Sequence, residues 1–160
     1  MDGPLVALTV ITAVACALNG GVFFAFSTFV MTALRRLPAA QGIAAMQSIN
    51  VTAVRPAFMA ALFGTALACI AVVVVGVSSW GESFAPYLVA AGAIYLAGTV
   101  GLTVTYHVPR NDALAELDPA TAGGASYWDR YLAEWTRWNH IRAAAALAAG
   151  LLLTTALVLD

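Results

Sequence analysis

Few residues in this chain could do chemistry, and several of them lie close together. One of its two histidines sits in the run Asn139-His140-Ile141-Arg142, which closes a stretch from Ser126 that also holds Trp128, Trp135 and Trp138, three of the four tryptophans. An imidazole can exchange a proton or ligate a metal, an amide can donate and accept, and a guanidinium can hold an anion or a carbonyl. The other histidine, His107, stands in T-Y-H-V-P-R-N-D. Asn19, Asn50, Arg55 and Asn111 are the remaining polar candidates.

The element that must position the first group is a helix. Ser126 with Asp129 three residues later reads as an N-cap and its reciprocal acid, so a helix is expected from there to about Leu159. Along it Trp128, Tyr131, Trp135, Trp138 and Arg142 fall at steps of three or four and share one stripe. Asn139 neighbours Trp135 and Arg142, whereas His140 lies on an adjoining face. An interfacial aromatic belt with snorkelling arginines explains Trp128 and Tyr131 equally well. It explains Asn139 and His140 less well, since each needs a partner at the brink of the hydrocarbon.

Composition sets the solvent. The chain is 62% hydrophobic and 9% charged, with a mean hydropathy of +0.88, against about 25% charged residues in soluble domains. The expected fold is all-α, an integral membrane bundle of four transmembrane helices in one domain over residues 1–160. The spans are read at about 5–34, 56–77, 86–108 and 127–159, with the fourth helix extended into the cytoplasmic interface. The first apolar stretch, with no basic residue before Arg35, is read as a retained helix. Pro38 and the run after it predict a short helix near the surface, Pro109 is expected to stop the third span, and Asn111 to cap a brief helix after it. The run D-P-A-T-A-G-G-A is read as a flexible connector that could act as a lid. Ala145/Ala149 and Ala146/Gly150 permit close helix contact within the bundle or across a homodimer.

With four spans, Arg35, Arg36, Arg55, Arg110, Arg130, Arg137 and Arg142 all fall on one side, against Asp2, Glu82 and Asp160 on the other. The positive-inside rule then puts both large loops in the cytoplasm and both termini outside the cell membrane. A net charge of −1 and a pI near 6.0, with no basic run, exclude nucleic acid as a partner. Cys16 and Cys69, in separate spans, are read as small buried thiols.

Counting turns brings the polar residues to one height. His107 is about 31 Å from Pro86, His140 about 30 Å from Asp160, and Arg55 about 33 Å from Ser78. Asn50, Asn111, Asn139 and Arg142 belong to the same layer, Asn19 would form its floor and the helix-four tryptophans its walls. A pocket of this kind, apolar below and edged by polar groups, suits a flat lipophilic aromatic molecule arriving from the lipid bilayer. Two histidines leave a metal site open, although the Glu-x-x-His pairs of bundle di-metal proteins do not occur. A Ser-His-Asp or Cys-His arrangement has no support in the spacing.

Four motifs, N-G-G-V-F-F-A-F-S, Q-S-I-N with R-P-A-F, V-P-R-N-D-A-L and above all W-x-R-W-N-H-I-R, resemble the anthrone oxygenase-like family of small membrane proteins along nearly the whole chain. The resemblance implies oxidation of an anthrone to a quinone with dioxygen as co-substrate and neither flavin nor haem. It points to Asn19, Asn50, Arg55, Pro56, Pro109, Asn111, Trp138, Asn139, His140 and Arg142 as motif positions. His107 departs from the family pattern, where a non-basic polar residue precedes the V-P.

An anthrone carries a methylene made acidic by a conjugated ketone, and its anion can meet dioxygen without a cofactor. On this reading His140 is the expected base, a neutral imidazole being a suitable proton acceptor. Asn139 with Arg142 or Arg55 would stabilise the enolate oxygen, and Trp135 and Trp138 would stack on the rings. Asn19, Asn50, Asn111 and His107 would complete the substrate site. A non-catalytic lipid- or quinone-binding subunit and a metal- or haem-assisted oxidase remain as alternatives.

Overall fold

The computed structural model describes the backbone of residues 1–160 and all side chains but that of Ala122. The described residues form five helices and no strand: α1 (Gly3–Arg35), α2 (Ala39–Ala53), α3 (Pro56–Ser78), α4 (Ala85–Ala115) and α5 (Ala122–Val158). α1, α3, α4 and α5 are long and apolar enough to cross a membrane, so the fold is all-α and the chain is a multi-pass membrane protein. α5 has 37 residues, which at about 1.5 Å each run ~55 Å, well beyond a hydrocarbon core of about 30 Å. α2 does not span. It packs across the far ends of α1 and α4 and the first half of α5.

Local chemistry explains most helix starts. The Asp2 carboxylate accepts from the Leu5 N–H at 3.0 Å with Pro4 in the first turn, and Arg55 is extended so that Pro56 opens α3 with no N–H to lose. The chain ends meet where the Met1 amino group pairs with the Asp160 carboxylate, and Ser83 Oγ donates to the Leu159 carbonyl at 2.6 Å. The polar residues of interest lie toward the opposite end.

Two buried clusters stack along the bundle. The first, on the side of the chain ends, is built on α5's Ala143, Ala146, Ala149, Leu153 and Ala156 packed with Ala13, Cys16, Cys69, Val72 and Leu88. Small side chains let helices without a hydrophobic driving force gain van der Waals contact in lipid. A Cβ on Gly92 would stand 2.7 Å from the Cys69 carbonyl, which is how close α4 comes to α3. The second cluster is bulky: Trp128, Tyr131, Leu132 and Trp135 of α5 with Met31, Leu34, Ile43, Met46 and Leu114.

Several expectations need correction. α5 begins at Ala122, before the expected Ser126 cap, because Thr121 Oγ1 accepts from the Gly124 N–H at 3.1 Å and itself donates to the Asp118 carbonyl at 3.0 Å. The connector read as a lid is thus partly the first turn of this helix. The third span runs through Pro109 to Ala115 rather than stopping at 108: its preceding turns are π turns, and the proline falls where they join an α-helical segment at Val108, so its missing N–H breaks no regular ladder. Trp128 and Tyr131 are not an interfacial belt, being 2% and 3% exposed and stacked on each other at 5.6 Å. The two cysteines are buried free thiols as expected, and they meet with sulfurs 3.9 Å apart.

Candidate functional site

α4 carries Tyr95, Thr99, Thr103, His107 and Asn111 at intervals of four. In a regular α-helix a step of four drifts by about 40°, so five such positions would wind well around the axis. Here the stretches Tyr95–Gly101 and Thr103–His107 are π-helical, and their wider turns take up the drift. Tyr95 and Thr99 are therefore fully buried, His107 is 1% exposed, and Thr103, His107 and Asn111 reach one cavity. π turns concentrate at functional sites, and α1 has another at Phe26–Val30 facing the same region.

α5 meets α1 through Asn139, which is completely buried. Its Nδ2 donates to the Phe23 carbonyl and to Ser27 Oγ, both at 2.7 Å. That fixes Oδ1 toward Arg142, whose Nε and Nη2 donate to it at 3.1 and 2.6 Å. Arg142 Nη1 donates to Thr103 Oγ1 at 3.1 Å, and the guanidinium lies 4.0 Å from the Phe23 ring centroid and 5.3 Å from that of Trp135. Arg142 is 6% exposed. Among the described residues the ion pairs are Met1 with Asp160 and Arg110 with Glu134, so this buried cation is held by an amide, a hydroxyl and two aromatic faces with no carboxylate. Such a charge is expensive within a membrane and is characteristically functional.

These groups face a cavity of about 120 Å³. Its walls are apolar, from Phe23, Phe26, Met46, Phe58, Met59 and Leu62, interrupted by His107, Arg142, Thr103, Asn50 and Asn111. Trp135 stands at one side, its ring 4.9 Å from that of His107 and edge-on to it. The Trp135 Nε1–H and the Tyr131 hydroxyl both donate to Asn111 Oδ1, at 3.0 and 2.7 Å, which leaves that amide a fixed wall element. Neither nitrogen of His107 has a hydrogen-bond partner, nor has Asn50 Nδ2. A buried polar atom without a partner costs about 1–3 kcal/mol, and these three, on residues of the cavity wall, have hydrogen-bonding capacity left over.

The structure thus gathers His107, Asn50, Asn111, Trp135 and Arg142 on one cavity, with Asn139 behind Arg142. It separates the rest. His140 is exposed and is not part of the cavity wall: one residue turns a helix by about 100°, so burying Asn139 and Arg142 carries His140 outward. Of the two histidines, it is His107 that stands on the cavity wall. Arg55 is exposed at the start of α3 and does not line the cavity. Asn19 is no floor but a clamp, donating to the carbonyls of Ala15 and Ala61 and to Thr65 Oγ1 at 3.0–3.3 Å. Trp138 is half-buried against Tyr106, with ring centroids 4.9 Å apart, outside the cavity. Among the described residues no three His, Cys, Asp or Glu side chains gather as metal ligands. Thr103 and Ser27, which position Arg142 and Asn139, escaped the sequence reading. The interval of four from Tyr95 to Asn111 is the signal that could have found Thr103.

Fold and site together define a small helical membrane protein with an apolar cavity held between its long helices and edged by a cation that has no carboxylate partner. The anthrone oxygenase family model matches residues 55–152, well over half of the chain, and the chain belongs to that family. The matched region contains Thr103, His107, Asn111, Trp135, Asn139 and Arg142. No curated protein and no solved structure matches the chain.

Proposed function

We propose that this protein is a membrane-embedded, cofactor-independent oxygenase that converts an anthrone-like or other polycyclic phenolic substrate to a quinone with dioxygen. The observation that carries the reading is the pairing, on one apolar cavity, of an unpartnered imidazole with a buried guanidinium that has no carboxylate. Family membership supports the same class of chemistry.

The site's groups divide the work. The ketone oxygen of the substrate lies at Arg142, whose Nη1 and Nη2 each keep one N–H not engaged by Asn139 or Thr103. His107 accepts a proton from the acidic methylene, and the resulting enolate is the anion that Arg142 lacks. Asn139 is a positioning residue: with both Nδ2 hydrogens engaged by α1, its oxygen keeps the guanidinium turned to the cavity. The enolate then reduces dioxygen. One oxygen atom becomes the new ring carbonyl, the other leaves as water with the two methylene hydrogens, and the sum is anthrone plus dioxygen to anthraquinone plus water. The arginine-rich end, where this site lies, faces the cytoplasm on the positive-inside rule.

Purified protein in lipid nanodiscs given emodin anthrone under ¹⁸O₂ tests the reading. The expected result is quinone formation well above autoxidation, one dioxygen consumed per quinone, and one labelled oxygen in the product. A rate equal to that of empty nanodiscs would contradict it, and would favour a non-catalytic ligand-binding role for the same cavity.

A further inference from the structure

Polar side chains gather a second time where the end of α4 meets the first turns of α5. A recess of about 210 Å³ there is lined by Arg110, Tyr127, Arg130, Tyr131 and Glu134, none of which belongs to the cavity wall. Two tyrosines tie the helices together beside it: the Tyr127 hydroxyl donates to the Arg110 carbonyl at 3.4 Å, and that of Tyr131 to Asn111 Oδ1 at 2.7 Å. With both hydroxyl protons spent, the donors left in the recess are those of the two guanidiniums.

Arg110 is held in place without being used up. Its guanidinium carbon lies 3.4 Å from the centre of the Tyr106 ring, its Nη1 donates to the Tyr106 carbonyl at 3.4 Å, and its Nε stands 3.8 Å from Glu134 Oε2. A charge-assisted hydrogen bond measures about 2.7–2.9 Å, so Glu134 occupies none of the Arg110 donors. Arg130, on the other helix, is exposed and has no ion-pair partner among the described residues. The recess sets two cations against one carboxylate.

Height along the bundle says which anion would meet them. Counted back from Val158 along α5, Trp138 is ~30 Å away, Glu134 ~36 Å and Arg130 ~42 Å, while Arg110 is ~36 Å from Pro86 along α4. The hydrocarbon core is about 30 Å thick and headgroups add about 5–8 Å on each face. Trp138 and Tyr106, both half-buried and packed at 4.9 Å, therefore mark the edge of the hydrocarbon. Arg110 and Glu134 stand level with lipid phosphates, and Arg130 is at their outer edge. On the positive-inside rule this is the cytoplasmic face, whose leaflet carries anionic lipids.

We infer that the recess between α4 and α5 binds the phosphate of an anionic phospholipid headgroup, with Arg110 and Arg130 as its ligands and Glu134 as the group that limits affinity. Two guanidinium forks from different helices grip phosphate oxygens in pairs, and the bound lipid braces the extension of α5 against α4. Lipid binding here is independent of what the cavity does.

Lipid retention by the purified protein tests this. Detergent-solubilised protein is titrated with palmitoyl-oleoyl phosphatidylglycerol, or with the phosphatidylcholine or phosphatidylethanolamine of the same chains, and bound lipid is counted by native mass spectrometry. The variants are Arg110→Gln with Arg130→Gln, Glu134→Gln, and Arg35→Gln with Arg36→Gln, which removes the same charge from exposed positions at the end of α1. Phosphatidylglycerol should bind at least tenfold more tightly than the other two lipids. The α4–α5 double variant should weaken it tenfold or more, the α1 double variant should stay within twofold of the parent, and Glu134→Gln should tighten it threefold or more. Equal weakening by both double variants would mean diffuse surface charge and overturn the site, as would equal affinity for all three lipids. Displacement of phosphatidylglycerol by an equal concentration of sn-glycerol 3-phosphate would make it a site for soluble phosphate and overturn the lipid assignment. Weaker binding in Glu134→Gln, with phosphatidylethanolamine preferred, would make Glu134 the seat of a headgroup ammonium and overturn the anionic one. Should the α4–α5 double variant not fold, Glu134→Gln decides, and an unchanged affinity there contradicts the site.

Discussion

The two halves of this bundle are built to opposite rules. Around Ala146, Ala149 and Leu153 the helices touch through small side chains, and the polar atoms there are largely settled: Thr9 and Thr12 return their hydroxyls to carbonyls four residues back at 2.8 and 2.7 Å. Around His107, Asn50 and Arg142 the side chains are larger, α1 and α4 loosen into π turns at Phe26–Val30 and Thr103–His107, and imidazole and amide atoms on the cavity wall are left without partners, as Asn19 Oδ1 is in the other half. One half converts close contact into stability, and the other gives up hydrogen bonds and charge neutrality around a space. The border between them is the Asn139 amide, which ties α5 to α1 directly above the small-residue seam and aims Arg142 into the cavity.

If that division is real, substitutions should separate activity from stability in opposite directions. The largest effect is expected for Arg142→Leu. Loss of an anion-stabilising group costs about 10²–10³ in rate, and here the group carries full charge, so turnover of emodin anthrone should fall about 10³-fold. Stability should stay within about 2 kcal/mol, because removal of a buried charge offsets the orphaning of Asn139 Oδ1. Oxygen uptake read beside thermal unfolding of the same sample checks both halves of the statement. Gly92→Leu should do the reverse. The side chain would meet the Cys69 backbone carbonyl, and overpacking of this kind costs about 1–3 kcal/mol; the unfolding temperature should drop while turnover per folded molecule stays within about twofold. A Gly92→Leu protein that unfolds as the parent does would mean that α3 and α4 are not in the close contact described.

The same division explains what could be read from the sequence. The spans were legible because hydrocarbon solvent demands about 20 apolar residues whatever their neighbours are. Asn139 and Arg142 were legible as buried because they continue the Trp128, Tyr131 and Trp135 stripe. His140 lies about 100° around the helix from Asn139 and off that stripe, and a count of depth along the axis, which ignores azimuth, places it in the same layer all the same. His107 is legible as a member of the polar layer by depth, but the step of four from Tyr95 through Thr99 and Thr103 that carries it to the cavity is meaningful only in a helix with π turns, and no residue type signals those turns. Helix ends were misplaced for local reasons, at Thr121 because its cap competes with Ser126, and at Pro109 because the turns before it were already irregular. Asn19 looked like part of a pocket by depth alone, yet depth along one helix does not say which neighbour, here Ala61 and Thr65 of α3, takes the amide.

The central claim is that the imidazole in the cavity, and not the one in the tryptophan-rich motif, takes the substrate's proton. The most direct measurement is oxygen uptake with emodin anthrone by His107→Ala and His140→Ala proteins side by side in nanodiscs, with and without added imidazole. The account predicts a hundredfold or greater loss for His107→Ala, as expected for a missing general base, partly restored by free imidazole, and a rate within about twofold of the parent for His140→Ala. A hundredfold loss in His140→Ala with His107→Ala unaffected would contradict it.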